Sequence, residues 1–397
     1  MKPVKHWAVS QSRPKIVLYS HDTFGLGNIR RTLLLANGLI KQYPAAAILI
    51  ITGSPMIHAF RIPEGLDYIK LPCLDRIEPE RYEPRFLSDC SAEVKRTRVA
   101  ILEKAVLGFE PDLMIVDKRA AGVDGELLGT LRALHGHQRS TKLVLGMRDV
   151  LDEPERTRSS LRLNRSFETI DTFYDEVWVY GCKSIFNPIK EYDFPASVAG
   201  KTHFCGYLKR PTQPPVLNDG PPRVLVTTGG GGDGARMIET YLKGLASLPQ
   251  SAVLRSTIVF GPQMSEESRS DLLERFGYLP RVKFLDFEPD LARLYAEADV
   301  VVSMAGYNTV CEMLSFLRRG ILVPRAHPVR EQLIRARLLT ARGLFDMVEP
   351  GELKPDVLMA KVLASIKRAP MPTAPLDFDG LPKIRERVSA LLPEVSA

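Results

Sequence analysis

Two units of the form strand, glycine loop, helix, one in each half of the chain, constrain its fold more than any other feature of the sequence. The first begins with the apolar run 15–20, passes through a loop that ends at Gly27, and continues into a segment with apolar residues at helical spacing. The second begins with the run 223–228, followed by four consecutive glycines and a predicted helix near 233–248. Short β-branched runs of this kind are typical of parallel strands buried on both faces. The sequence therefore predicts an α/β protein with two doubly wound Rossmann-like domains facing a cleft.

The remaining predicted strands and one proline-rich segment set the domain limits. The expected further strands are 47–52, 112–117, 142–146 and 176–180 in the first half, and 256–260, 282–287, 300–303 and 321–323 in the second. Five prolines between Gly206 and Pro222 exclude a regular helix or a central strand there. We therefore expect an N-terminal domain over 1–205, a linker over 206–222, a C-terminal domain over 223–367, and a tail with a helix over 368–397 that packs back on the N-terminal domain.

Composition excludes several classes of protein. With 45% hydrophobic and 25% charged residues, the 397-residue chain is neither disordered nor a polytopic membrane protein. Its five cysteines include no Cys-x-x-Cys pair, which argues against a disulfide framework or a structural zinc site. The net charge of +7 favours phosphate-bearing ligands or an anionic membrane surface, but no nucleic-acid-binding signature accompanies it. The polar stretch 1–15 lacks the apolar segment of a signal peptide, so we expect a cytoplasmic protein.

The first glycine loop carries candidate polar residues but an incomplete dinucleotide fingerprint. Gly25 and Gly27 are followed by Arg30 where such a fingerprint has its third glycine, which argues against a nicotinamide or flavin cofactor. The loop also contains His21 and Asp22. It is interpreted either as a tight turn that needs glycine dihedrals or as a cleft-facing loop whose backbone approaches a substrate.

The second glycine loop predicts an anion site. Thr228, Gly229, Gly230 and Gly231 lie between a strand and a helix, where bare backbone amides at a helix N-terminus favour phosphate. No Gly-Lys-Ser/Thr follows, so a Walker loop is excluded. A glycine loop without a ligand is the alternative.

The segment 303–313 suggests a ribose site. Gly306 ends a predicted strand, Asn308 or Thr309 begins a helix, and Glu312 follows one turn later. The Glu312 carboxylate is suited to accept two hydrogen bonds from a vicinal diol such as a ribose. Alternatively, Thr309-x-x-Glu312 is a capping box that satisfies its own helix start.

These segments together resemble the nucleotide-sugar glycosyltransferases of the GT-B fold, and most closely the MurG-like family that adds N-acetylglucosamine to a lipid-linked peptidoglycan precursor. The resemblance implies a UDP-sugar donor held in the C-terminal domain, an acceptor bound by the N-terminal domain, and no cofactor or metal. Through the family's patterns it implies that Gly306, Thr309 and Glu312 hold the diphosphate and ribose, and that His327, Arg330, Glu331 and Gln332 contact the donor sugar. It also places uracil near Leu285 and the diphosphate near the second glycine loop, and it includes Arg210, from a basic pair just after the first domain, among the nucleotide-sugar-binding residues.

The resemblance implies inversion at the anomeric carbon, a glycan or lipid-linked acceptor, and a peripheral membrane contact. One departure concerns catalysis, because Asn28 stands where the family has a histidine at the end of the first glycine loop. A carboxamide takes up no proton near neutral pH, so His21, Asp22 and Asp117 are the alternative candidates for the general base. A UDP-sugar epimerase of the same fold and a non-catalytic nucleotide-sugar-binding subunit remain alternative functions.

Overall fold

The structure is a computed structural model that describes residues 13–21, 26–78, 81–136, 141–210, 212, 216, 219–249, 252–288, 291–368 and 379–392. Its strands are β1 (Lys15–Ser20), β2 (Ala47–Thr52), β3 (Leu66–Lys70), β4 (Leu74–Glu78), β5 (Arg81–Pro84), β6 (Leu113–Asp117), β7 (Lys142–Arg148), β8 (Glu176–Tyr180), β9 (Thr202–Phe204), β10 (Arg223–Thr227), β11 (Arg255–Val259), β12 (Val282–Leu285), β13 (Val300–Ser303), β14 (Arg319–Leu322) and β15 (Asp346–Met347).

The helices alternate with these strands. They are α1 (Leu26–Gln42), α2 (Ser91–Phe109), α3 (Leu128–Gly136), α4 (Pro154–Leu163), α5 (Ser166–Phe173), α6 (Pro188–Glu191), α7 (Ala196–Gly200), α8 (Ala235–Ala246), α9 (Glu266–Phe276), α10 (Ala292–Glu297), α11 (Tyr307–Ser315), α12 (Glu331–Thr340), α13 (Pro355–Ile366) and α14 (Gly380–Leu391). None of the helices in the described parts of the chain combines the length and apolarity that a bilayer span requires.

Two parallel sheets confirm the predicted pair of Rossmann-like domains. The first has the order β3-β2-β1-β6-β7-β8-β9, and the second has the order β12-β11-β10-β13-β14-β15. In each sheet the order of the strands along the chain reverses beside the first strand, β1 or β10, and such switch points open a crevice at the carboxyl ends of the strands. The strands β4 and β5 form a separate antiparallel ribbon in the N-terminal domain.

The apolar runs form strands because both of their faces are buried. In β1, Ile16 and Leu18 pack in one core with residues of α1, whereas Val17 and Tyr19 pack in a second core with residues of α2. The first of these cores continues through Tyr207 into the second domain, where it includes buried residues of β10, β13 and α11. The two domains are therefore joined by continuous apolar packing.

The last helix contacts the N-terminal domain. In α14, the hydroxyl of Ser389 lies 2.7 Å from that of Tyr43, and Arg387 forms an ion pair with Glu176 of β8. Leu381 lies against Gly38 of α1, with its Cδ2 atom 3.1 Å from the position that a Cβ there would occupy, which is closer than an ordinary contact. This helix therefore ties the end of the chain to the first domain, after the chain has completed the second.

Candidate functional site

A cavity of about 370 Å³ lies between the two domains, where the carboxyl ends of both sheets face each other. We call it the interdomain cavity. Its described lining comes mostly from the start of α1, the second glycine loop, the start of α11, and the segment 325–332 that leads into α12. The lining residues are Gly27, Asn28, Arg30, Arg31, Arg148, Thr228, Gly229, Gly230, Gly231, Gly232, Asp233, Gln263, Met304, Gly306, Tyr307, Asn308, Thr309, Arg325, His327, Pro328 and Gln332.

The glycine loop after β10 needs its glycines. Gly231 has a φ of +97°, and a Cβ there would lie 2.5 Å from the carbonyl oxygen of Phe260. Thr228 donates its hydroxyl hydrogen bond to that same carbonyl, and the Gln263 amide donates to the Gly230 carbonyl at 2.8 Å. The loop is therefore held against the end of β11, and its bare backbone borders the cavity.

Helix α11 presents its N-terminus to the cavity. Gly306 is the N-cap and the helix begins at Tyr307, so Thr309 lies within the first turn and makes no capping hydrogen bond. The capping-box alternative is therefore wrong. Asn308 bridges the domains, because its amide donates to the Gly27 carbonyl at 2.6 Å while its oxygen accepts from Arg210 at 3.1 Å.

The charged groups in the described lining of the interdomain cavity are mostly cationic, and the other carboxylates that pair with them lie behind that lining. Arg30, Arg31, Arg148 and Arg325 line the cavity, whereas Asp233 supplies the one carboxylate among its described lining residues. Asp233 already pairs with Arg325 at 2.9 Å. The positive end of the α11 dipole adds to this charge, and sequence reasoning gave no role to Arg31, Arg148 or Arg325. The arrangement is suited to bind a phosphorylated ligand.

Glu312 lies behind this lining in an ion-pair cluster. It is 3% exposed and pairs with Arg30 of α1 and, at 3.9 Å, with Arg210. Its Oε2 atom is buried and has no hydrogen-bond partner in the described part of the chain. The structure therefore brings Glu312 to the interface with α1, where the Tyr295 hydroxyl lies beside its carboxylate.

The segment 325–332, which leads into the first turn of α12, divides between the cavity and the domain interface. His327 and Gln332 line the cavity. Glu331 is 5% exposed, lies outside the lining, and pairs with Arg148 at 2.7 Å and with Arg325 at 3.5 Å. Arg330 also lies outside, with its guanidinium 2.6 Å from the Glu153 carboxylate across the interface.

The structure brings three of the four catalytic candidates together. The Nδ1 atom of His21 lies 3.2 Å from the Asp117 carbonyl oxygen, and its Nε2 atom lies 3.4 Å from the Asn28 amide. Arg31 binds both carboxylate oxygens of Asp117, at 3.1 and 2.5 Å, and also donates to the Asn28 oxygen at 2.9 Å. Asn28 thus connects His21 to the ion pair.

Three further predicted residues lie elsewhere. Asp22 and Gly25 fall outside the described residues. Leu285 ends β12, outside the cavity lining, and its carbonyl accepts a hydrogen bond from the Phe260 amide at 3.0 Å.

An Asp-x-Asp tripeptide, which some transferases use to hold a metal, ends at Asp379 before α14, and Asp379 lies beside Leu208 rather than in the cavity.

The pKa of His21 predicts an acid-sensitive fold. Burial, together with the nearby cations Lys118, Arg119 and Arg31, holds the His21 pKa well below its usual value of 6.5. The folded state therefore favours neutral His21. Below about pH 6.5 the unfolded chain binds a proton at this residue and the folded chain does not, so the free energy of unfolding decreases as pH falls toward the folded-state pKa. We expect wild type to lose more unfolding free energy between about pH 7 and pH 5 than His21→Gln does, by up to about 1.4 kcal/mol per pH unit.

Urea unfolding at both pH values measures this difference. The matched control is His58→Gln, which removes an exposed histidine of the same domain and should leave the wild-type pH dependence in place. Equal pH slopes for wild type and His21→Gln would show that His21 is protonated as readily in the folded as in the unfolded chain.

Comparison with known proteins finds a family match in the C-terminal half of the chain. Residues 223–375 match the family described as "Glycosyltransferase family 28 C-terminal domain". The C-terminal domain is therefore similar to that family's C-terminal domain, and we call the matched region the family 28 domain after this similarity. The second glycine loop, the start of α11 and the segment 325–332 all lie in it.

Part of the chain is similar to bacterial transferases named UDP-N-acetylglucosamine–N-acetylmuramyl-(pentapeptide) pyrophosphoryl-undecaprenol N-acetylglucosamine transferase. It is 32% identical to the Haemophilus influenzae protein over 138 residues, which is 34% of this chain and 37% of that protein. It is 33% identical to the Serratia proteamaculans protein over 164 residues, which is 41% of this chain and 44% of that protein. The matches therefore span less than half of the length of these curated relatives.

Solved structures match the whole chain at low identity. MurG from Acinetobacter baumannii aligns with 95% of this chain and 100% of its own, at a TM-score of 0.56 and 15% identity. A calicheamicin glycosyltransferase aligns with 98% and 100%, at a TM-score of 0.60 and 18% identity. MnaA from S. aureus, in a co-structure with UDP, aligns with 97% and 98%, at a TM-score of 0.61 and 10% identity. The chain therefore has the GT-B fold, with the family 28 domain as its second half.

Proposed function

We propose that this protein is a glycosyltransferase that moves a sugar from a UDP-sugar to an acceptor bound by the N-terminal domain. The observation that carries the proposal is the interdomain cavity, which both domains line with arginines and to which the family 28 domain contributes a glycine loop and a helix N-terminus. A bound nucleoside diphosphate would place its negative charge beside the backbone amides of the glycine loop and the N-terminus of α11, both of which stabilise a phosphate group. The named relatives use UDP-N-acetylglucosamine, which makes this the first donor to test.

In the proposed complex the diphosphate lies between Gly229–Gly231 and the start of α11. The donor sugar lies near His327 and Gln332, and the uracil lies near Leu285. Arg31 and Arg325 neutralise the diphosphate as it leaves, so that charge developing in the transition state meets preorganised cations. A direct attack by the acceptor hydroxyl inverts the configuration of the anomeric carbon, and this route uses neither a metal nor a cofactor.

The acceptor is proposed to approach from the N-terminal side of the cleft. The relatives are named for a pyrophosphoryl-undecaprenol acceptor, which supports a lipid-linked acceptor for this chain and a protein that acts at a membrane surface. The acceptor proton requires a base. The Asp117 carboxylate is bound by Arg31 and the His21 Nε2 atom faces the Asn28 amide, so either group must change its contacts to act.

Binding and turnover measurements test the proposal. We expect calorimetry to show that UDP and UDP-N-acetylglucosamine bind more tightly than the corresponding adenosine diphosphate compounds, and that UDP is released when cell extract supplies an acceptor. UDP-N-acetylmannosamine formed from UDP-N-acetylglucosamine alone would instead identify an epimerase. Tight UDP binding without UDP release would favour the non-catalytic alternative, and absence of nucleotide binding would overturn the proposal.

Glu312→Gln tests the proposed ribose contact. Loss of a charge-assisted hydrogen bond to a ribose hydroxyl should weaken UDP binding by roughly 1.5–3 kcal/mol. Because Glu312 also compensates the charges of Arg30 and Arg210, we expect a loss of unfolding free energy as well, unlike a residue that only caps a helix. Calorimetry with UDP and with inorganic pyrophosphate separates the two roles.

UDP carries a ribose that pyrophosphate lacks, so of the two ligands only UDP can bind the Glu312 carboxylate through a ribose hydroxyl. Pyrophosphate binding should remain close to wild type in Glu312→Gln while UDP binding falls. An equal loss for both ligands would mean that Glu312 acts by positioning Arg30 rather than by contacting the ribose. Arg30→Ala is the matched variant, since it releases the carboxylate and should leave the UDP preference over pyrophosphate in place.

A further inference from the structure

The carboxylate of Glu331 is buried behind the lining of the interdomain cavity. Glu331 is the first residue of α12 and is 5% exposed. The resemblance implies that it contacts the donor sugar, but Glu331 is not among the described residues that line the cavity, whereas its neighbour Gln332 is. The structure therefore separates Glu331 from the space in which a donor sugar would lie.

Arginines from both domains pair with this carboxylate. Arg148, which ends β7 in the N-terminal domain, lies 2.7 Å from its Oε2 atom. Arg325, of the family 28 domain, lies 3.5 Å from its Oε1 atom. The buried Arg335, one turn further along α12, lies 3.8 Å from Oε2. The two oxygens of Glu331 therefore hold guanidinium groups that come from opposite sides of the cleft.

Two of these arginines also line the interdomain cavity. They are Arg148 and Arg325, which border the same space as the glycine loop and the start of α11. Arg325 has a second carboxylate, that of Asp233, at 2.9 Å. For Arg148, Glu331 supplies the one carboxylate that forms an ion pair with it in the described parts of the chain. The direction in which Arg148 presents its guanidinium to the cavity therefore depends on Glu331.

The docking of the two domains fixes the position of Glu331. The backbone N–H of the residue before it donates a hydrogen bond to the Asp152 carboxylate at 2.8 Å. Arg335 of the same helix donates to the Val150 carbonyl at 3.2 Å. Both acceptors lie in the segment that follows β7, immediately after Arg148. The start of α12 is therefore attached to the part of the N-terminal domain that supplies the paired arginine.

We propose that Glu331 is a positioning residue that directs Arg148 and Arg325, one arginine from each domain, toward the diphosphate of the donor. It acts through these arginines and contacts neither the sugar nor the phosphates. An arginine already held by a carboxylate loses less side-chain freedom when it binds a phosphate, and such preorganisation increases affinity. The arrangement of the three charges stands on the ion pairs themselves, whereas the identity of the ligand as a nucleoside diphosphate rests on the proposed function.

The charge of Glu331 and its position have opposite effects on anion binding. A carboxylate behind the cavity repels a diphosphate, so Glu331→Gln would strengthen anion binding if charge alone mattered. If Glu331 positions the arginines, Glu331→Gln weakens anion binding instead, because the ligand then has to order them. Glu331→Asp keeps the charge, and with it the compensation of the buried Arg335, but withdraws the carboxylate by one methylene group. The two variants together therefore separate charge from position.

Calorimetry of the full chain with pyrophosphate, UDP and UDP-N-acetylglucosamine measures these effects. We expect Glu331→Gln and Glu331→Asp to weaken the binding of all three ligands about tenfold, as for the loss of one charge-assisted hydrogen bond, with the ratio of the UDP and UDP-N-acetylglucosamine affinities unchanged. In an Arg148→Met background, Glu331→Gln should weaken binding further by less than about threefold, because the two residues act as a unit.

Glu349→Gln is the matched control. Its carboxylate is 37% exposed and pairs with Arg337 of the same helix at 2.8 Å, away from the cavity lining. An exposed pair of this kind contributes little, so all three affinities should remain within about twofold of wild type.

Three results would overturn the proposal. They are tighter anion binding by Glu331→Gln, wild-type affinities in Glu331→Asp, and a loss confined to UDP-N-acetylglucosamine, which would make Glu331 a contact of the sugar. If wild type bound pyrophosphate but not UDP, the proposed function would fail, while the pyrophosphate affinities of the variants would still test the role of Glu331. A wild-type chain that binds none of the three ligands would overturn both proposals.

Discussion

Asp117→Asn is expected to lower the free energy of unfolding by about 3–5 kcal/mol, because it leaves the charge of Arg31 buried without its carboxylate. Both residues are nearly inaccessible, with Asp117 6% and Arg31 1% exposed, and Arg31 binds both oxygens of Asp117. The pair fixes α1 to the end of β6, so its loss also affects the shape of the interdomain cavity. Urea unfolding of purified wild type and variant measures the effect.

An exposed ion pair provides the control for this variant. Asp271 pairs with Arg275 at 2.7 Å on the surface of α9, and exposed pairs of this kind are worth about 0–1 kcal/mol. Asp271→Asn should therefore change stability little. A double variant, Arg31→Met with Asp117→Leu, should recover much of the stability that Asp117→Asn loses, because it removes both buried charges. If Asp117→Asn were as stable as Asp271→Asn, the ion pair would be open to water in solution.

The loss of the Arg31–Asp117 ion pair also affects how the turnover of Asp117→Asn is interpreted. The sequence analysis includes Asp117 among the candidate bases, and a loss of turnover in Asp117→Asn would by itself fit that role. A carboxylate that compensates a buried arginine produces the same loss by misplacing Arg31 and Asn28. The pH profile of turnover separates the two, because loss of a base removes an acid limb, whereas a displaced Arg31 lowers turnover at every pH.

Local pattern was sufficient to predict the fold. The runs 15–20, 47–52 and 300–303 are apolar and β-branched enough to be strands wherever they lie, and the structure has a strand at each. Short edge strands such as β9 and β15 were not predicted, because two or three residues carry no periodicity. The ribbon of β4 and β5 was also missed, since its charged residues alternate without a continuous apolar face.

Contacts between distant charges account for what sequence reasoning missed at the site. Glu312 and Arg30 are 282 residues apart, and nothing local to either residue indicates that they pair. Glu331 was predicted to contact a sugar, but Arg148 and Arg325 approach it from opposite domains. The glycine loop and the start of α11 could be predicted, because an anion site at a helix N-terminus is formed by backbone amides that lie close together in the sequence. Pairing across a domain interface depends on the docking of the two domains.

Gly231→Ala is expected to weaken UDP binding at least about tenfold, because the added Cβ is incompatible with the loop that borders the interdomain cavity. The Cβ would lie 2.5 Å from the Phe260 carbonyl oxygen and 3.0 Å from that of Gly261, at a φ of +97° that L-residues rarely adopt. Both neighbours are backbone atoms at the end of β11, so the loop must move rather than a side chain. Its amides then leave the positions in which they would meet a diphosphate.

Gly232→Ala is the matched control for this loss. A Cβ at Gly232 would meet only Gln263, at 3.8 Å, and Gly232 lies outside the left-handed region. UDP affinity in Gly232→Ala should therefore remain within about twofold of wild type, because no strain is introduced. Calorimetry with UDP measures the affinity of both variants. Equal affinities for the two would mean that the loop is free to rearrange, and that the arginines of the interdomain cavity hold the diphosphate without help from the glycine backbone.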